Sequence, residues 1–183
     1  DALGLTFWAD AFATRLTLAE IVSSFGISEE AAAVFADNRN TADVVLAVYA
    51  NTLGRAPDPA GVDFWTSVLD RGPVSRADFI LQGLRGARSE PPTDASSDFI
   101  SQQAADRSYL DGKVDVGLYF AAGLGLSHVV AASEVMALYD GSAGSVEEAR
   151  AEALKFAEAA MGPDGSGGFL VTLVGVAGDV DAI

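Results

Sequence analysis

The chain has 183 residues, 50% of them hydrophobic, with 26 acidic side chains against 11 basic ones and a formal charge of −15. That apolar share is enough for a packed core and excludes a disordered chain, while the acidic balance argues against nucleic acid, whose phosphates are held mainly by Lys and Arg. With no cysteine and one histidine, His128, disulfides, thiolate zinc sites, thiol nucleophiles and histidine-based metal centres are all excluded.

The chain opens at Asp1 with no basic-then-apolar leader and reads as an excised or processed piece. In its first stretch, "LGLTFWADAFATRLTLAEIVSSF", Thr17 and Glu20 stand at capping-box spacing and open a helix. In "TADVVLAVYANTLG" Thr41 is the expected N-cap. Val45, Val48, Tyr49 and Leu53 recur on one helical face, and Gly54 supplies a left-handed stop. Asp58 then caps a helix whose first position is Pro59, where a missing N–H costs nothing. Phe64, Val68 and Leu69 are expected to face the core, with Gly72 ending that helix. The most apolar run, Val116 to Tyr139, holds His128 and Glu134 and is broken by glycines and Ser127. It reads as two buried core helices rather than a membrane span, which needs roughly 20 continuous apolar residues. Ser145 and Glu148 predict a capped helix running to Gly162. After Gly167 and Gly168, the β-prone run Phe169, Val171, Leu173, Val174 and Val176 predicts a short strand.

An internal repeat links these elements. Gly4, Phe7, Trp8 and Phe12 align with Gly61, Phe64, Trp65 and Leu69; after a one-residue gap, Thr17, Glu20, Ile21 and Val22 align with Ser75, Asp78, Phe79 and Ile80. Such a pattern predicts a duplicated helix-turn-helix unit in which each copy buries a face against its neighbour. Trp8 and Trp65 are then core anchors, large rings needing only one hydrogen-bond partner; the competing reading makes them exposed platforms for stacking sugars.

The run Leu53-Gly54-Arg55, Pro57-Asp58, Gly61 and Phe64-Trp65 resembles the signature of domain-of-unknown-function family 4214, which is echoed in phycobilisome linker proteins. The second copy, about residues 41 to 90, carries the whole motif, and the first begins after its LGR-PD portion. The stretch "YLDGKVDVGLYFAAGLGL", Tyr109 to Leu126, is also similar to the segment that follows these motifs in such proteins. The resemblance implies a bacterial secreted or surface protein, of the kind found beside RTX calcium-binding repeats or in helical S-layer anchoring regions that contact lipopolysaccharide.

Chemistry is weakly signalled. Ser127-His128 reads as a helix start with Ser127 capping, and no GxSxG elbow, P-loop, dinucleotide fingerprint or HExxH is present. Carboxylates are scattered, so no catalytic pair stands out. The loops holding Asp140 and Asp164 match neither the EF-hand nor the nonapeptide calcium pattern and read as turns. No cofactor, metal site or catalytic residue is therefore expected. Arg55 and Asp58 are the candidate binding residues. Either Arg55 bonds the terminal carbonyls of the preceding helix while Asp58 caps the next, or both project from the turn to hydrogen-bond sugar hydroxyls or a partner.

Together these readings predict an all-α bundle of repeated helical hairpins with a short C-terminal β element. Tandem repeat units would occupy residues 1–90, a helical part packing on them 91–165, and the strand or the start of a following segment 166–183. The expected function is a non-catalytic module that anchors or spaces a secreted or cell-surface bacterial protein, with cell-surface polysaccharide or other domains of the same protein as partners and neither nucleic acid nor a membrane span. The alternative is a carbohydrate-active enzyme or its accessory domain. A pure oligomerisation domain would instead carry a contiguous apolar patch.

Overall fold

The computed structural model describes residues 1–26 and 40–161. The strand expected over 166–183 and the Asp164 loop lie outside the described residues. Within them the chain is helical, with no strand: α1 (Ala2–Thr14), α2 (Leu18–Gly26), α3 (Thr41–Leu53), α4 (Pro59–Asp70), α5 (Arg76–Arg88), α6 (Ser97–Leu118), a π-helical turn (Tyr119–Gly123), α7 (Val129–Ala137) and α8 (Ala143–Ala160). No described helix is long and apolar enough to cross a membrane. The described chain divides into a unit within residues 14–110 and a second unit made of residues 1–13 with the described residues from 111 onward.

In the 14–110 unit, α3 and α4 form a hairpin and α2 packs on α5. Asn40, rather than Thr41, caps α3: its Oδ1 accepts the Asp43 N–H at 2.9 Å. Thr41 is the first helical residue, and its hydroxyl instead donates to Asp70 at the end of α4. The predicted apolar face is present and includes one further residue, with Val44, Val45, Val48 and Leu53 buried and Tyr49 half-buried. Phe79 of α5, 1% exposed, joins the three valines; burying such a ring contributes about 1.5–3 kcal/mol.

Gly54 ends α3 at φ +68°, its N–H bonded to the Ala50 carbonyl at 3.1 Å. Only glycine adopts that conformation without strain, and a side chain here would also run into the Tyr109 ring. Asp58 caps α4 through the Gly61 N–H at 2.7 Å, with Pro59 next, as predicted.

The inward set of α4 needs correction. Phe64 is 58% exposed, while Trp65 and Leu69 pack on the valine and Phe79 cluster. Consecutive helical residues point about 100° apart, so only one of the two rings can face α3. The indole takes that place, 4.7 Å from Phe79 between centroids, and Phe64 meets it edge-on at 5.1 Å.

Both capping boxes form. Glu20 accepts from the Thr17 N–H and hydroxyl, each at 2.8 Å, and Thr17 Oγ1 accepts the Glu20 N–H. Ser75 Oγ accepts the Asp78 N–H at 3.0 Å and donates to its carboxylate at 2.7 Å. The helices these pairs open are α2 and α5, which pack on each other.

Of the two tryptophans expected as core anchors, Trp65 packs on the valine and Phe79 cluster. Both are half-buried, and each carries an exposed phenylalanine neighbour at nearly the same angle: Phe7 lies 5.0 Å and 83° from Trp8, and Phe64 lies 5.1 Å and 76° from Trp65. The local pairing thus recurs in two different units.

In that other unit the run Val116–Tyr139 supplies the end of α6, the π-helical turn and α7. It is core-facing on one side only: Val116, Phe120, Leu126, Ala131 and Val135 are buried, yet Val129 and Val130 are 54% and 59% exposed. Buried Ala149, Ala153 and Ala157 let α8 approach α7 closely. Two caps differ from expectation. His128, not Ser127, caps α7, its Nδ1 accepting the Ala131 N–H at 3.1 Å, while Ser127 Oγ accepts the Leu3 N–H at 2.8 Å. Ser142, not Ser145, caps α8; Ser145 is buried, accepting the Asp140 N–H and donating to the Ser142 carbonyl.

Candidate binding groove

The left-handed turn at Gly54 directs the chain away from α3, and Arg55 reaches across to α6. Its Nε and Nη2 donate to the two oxygens of Asp106 at 2.6 and 2.7 Å, and its Nη1 to the Ala56 carbonyl at 3.2 Å. This forked pairing is the geometry for which guanidinium is suited. The side chain of Asp106 is 9% exposed and that of Arg55 29%. The Asp106 hydrogen bonds raise the Arg55 pKa further above its ordinary value, against the opposing effect of burial. The guanidinium also lies 5.3 Å from the centre of the Tyr49 ring, a cation–π contact. Gln102, one turn before Asp106, donates a third hydrogen bond to it at 2.9 Å. Arg55 therefore does not bond the last carbonyls of α3, as one reading expected; Gly54 supplies that bond itself.

Next along α6, Gln103 and Arg107 close the C-terminal end of α5. Gln103 donates to the Gly86 carbonyl at 2.7 Å and Arg107 to that of Ser89 at 3.0 Å. Gln103, Asp106 and Leu110 are all buried and share one face at i, i+3 and i+7. Polar residues at core-facing positions of an otherwise solvated helix are the signal that sequence reading overlooked.

The space enclosed between these elements is a groove of about 670 Å³. Tyr49 and Leu53 of α3, the turn from Arg55 to Asp58, and Trp65 of α4 form one side; Gln82, Gly83 and Gly86 of α5 and Asp98, Phe99, Gln102 and Asp106 of α6 form the rest. A Cβ added at Gly83 or Gly86 would meet nothing within 4 Å, so these glycines leave an open stretch of wall. The lining mixes aromatic rings with hydrogen-bonding amides and carboxylates. Both sequence-predicted residues, Arg55 and Asp58, belong to it, one as an inter-helix tie and the other as a helix cap.

The carboxylates are largely committed. Asp106 accepts from Arg55 and Gln102, and Asp58 accepts the cap hydrogen bond. Among the described residues no group of three or more His, Cys, Asp or Glu is placed to hold a metal ion. In the Asp140 loop the carboxylate accepts the Ser142 N–H at 2.9 Å, and that bond leads the causes holding its pKa below the usual range. His128 serves as a helix cap.

A helical hairpin tied by arginine to a third helix, with a mixed aromatic and polar groove beside the tie, is the class of module these residues define. Residues 22–88 match the family model described as Domain of unknown function (DUF4214), and that segment is a member of the family. The match covers α3, α4 and α5. The α6 wall, with Gln102 and Asp106, lies beyond it. Comparison with the curated proteins and with solved structures gives no match.

Proposed function

We propose that the chain is a non-catalytic helical module of a secreted or cell-surface bacterial protein, which it anchors or spaces by holding surface polysaccharide in the groove. The observation that carries this reading is the placement of Trp65 with Asp58, Gln82 and Gln102 around one open groove of about 670 Å³. A groove of that size fits a small ligand or a few residues of a polymer. Sugars offer apolar C–H faces that stack on aromatic rings and hydroxyls that bond to amides and carboxylates. The non-catalytic part rests on the carboxylates: glycoside hydrolysis needs two of them disposed about the scissile bond, and of the three that line the groove Asp106 is tied to Arg55 and Gln102 and Asp58 caps α4, leaving Asp98.

Binding is measured on a glycan array and by tryptophan fluorescence in a Trp8→Phe background, where Trp65 is the one remaining indole. Gly83→Phe adds a ring to the groove wall at a position where the first side-chain carbon meets no protein atom within 4 Å. Polysaccharide that quenches Trp65 and is lost in Gly83→Phe supports the reading. Binding unchanged by that plug, or no glycan bound at all, refutes it.

A further inference from the structure

Resting on the polysaccharide reading, we infer that the groove selects uncharged glycans and excludes sulfated, phosphorylated or uronic ones. The residues lining it include three carboxylates, Asp58, Asp98 and Asp106, and one cation, Arg55. The charge of that cation is matched by Asp106, to which Arg55 donates from Nε and Nη2 while Nη1 bonds the Ala56 carbonyl. What remains is the charge of Asp58 and Asp98, inside a chain of net charge −15. An anionic polymer would bring like charge into a partly desolvated groove, where repulsion is stronger than in bulk water. An uncharged glycan meets no such penalty. It finds acceptors in Asp58 and Asp98, amides at Gln82 and Gln102, and ring faces at Trp65 and Phe99.

Charge removal that preserves the fold tests this directly. Asn is as good an N-cap as Asp, so Asp58→Asn keeps the bond to the Gly61 N–H, and Asp98 is exposed near the start of α6. The parent, the double variant Asp58→Asn/Asp98→Asn and the plug Gly83→Phe are run on an array of neutral, uronic and sulfated glycans. Dextran and dextran sulfate are added in solution at low and high salt. The inference expects neutral glycans to bind the parent, sulfated ones to bind at least about tenfold more weakly at low salt, and the gap to narrow as salt screens the groove. In the double variant, the ratio of sulfated to neutral affinity rises about fivefold, as the loss of two unit charges acting through solvent would give, whatever the change in neutral binding itself. Sulfated glycans that bind as well as neutral ones and are displaced by the plug overturn the inference while leaving the polysaccharide reading intact. A double variant with unchanged discrimination overturns it as well. Absence of any glycan binding overturns both.

Discussion

Removing either end of the Arg55–Asp106 pair should destabilise the 14–110 unit. In Arg55→Ala, Asp106 loses two charge-assisted hydrogen bonds at 2.6 and 2.7 Å and keeps only Gln102, with its side chain 9% exposed. Breaking a fully buried pair from one side costs about 3–5 kcal/mol. Here the guanidinium is 29% exposed, and solvent weakens the interaction, so the expected loss is about 2 kcal/mol. Asp106→Ala should cost somewhat less, about 1–2 kcal/mol, because the long Arg55 side chain can turn toward water. The double variant should cost little more than the worse single one, leaving a coupling energy of about 1–2 kcal/mol. Urea unfolding of the four proteins measures these values. As a thermal shift, each kcal/mol corresponds to about 4–8 °C if residues 14–110 unfold alone and about 2–4 °C if the whole chain unfolds together. Single variants both within about 0.5 kcal/mol of the parent would show that the pair holds nothing, and the account of α6 as a groove wall tied by Arg55 would fail.

Gly54→Ala should cost about 2 kcal/mol or more, since it forces a side chain into the left-handed region and against Tyr109; a melting curve unchanged from the parent would count against the turn geometry. Gly83→Ala should act oppositely, gaining about 0.5–1 kcal/mol in chemical denaturation, because its added methyl meets open space within a helix. Acid stability should depend on Asp140. The backbone bond from Ser142 is the leading cause holding its carboxylate below the usual aspartate range, so its contribution is full above the unfolded pKa and fades as pH falls through the lower folded one. Asp140→Asn should therefore lose less stability than the parent on acidification below about pH 4, and parallel stability–pH curves would contradict that assignment.

Local chemistry was legible from sequence wherever one residue type has one use. Gly54 as a left-handed stop, Asp58 and Pro59 opening α4, and the Thr17–Glu20 and Ser75–Asp78 boxes are decided within four residues of chain. So was the all-helical character of the described residues, and so was membership of the 22–88 segment in its family. Where two neighbouring polar groups could each cap a helix, sequence alone did not choose between them. Asn40 stands beside Thr41, His128 beside Ser127 and Ser142 near Ser145, and the backbone angles at the first turn make the choice.

Tertiary structure decided what lies across space. Arg55 finds Asp106 51 residues away, and no spacing rule connects a turn to a helix face that distant. Trp65 rather than Phe64 packs on Phe79 and the valines of α3. The Phe-Trp pair recurs with matching geometry at residues 7–8 and 64–65, yet its two copies fall in different packed units. Sequence sets short-range torsions and caps, whose energies depend on a few adjacent residues. Ion pairs, buried faces and the groove depend on which helices meet, and that is settled only when the helices of a unit have collapsed around its core.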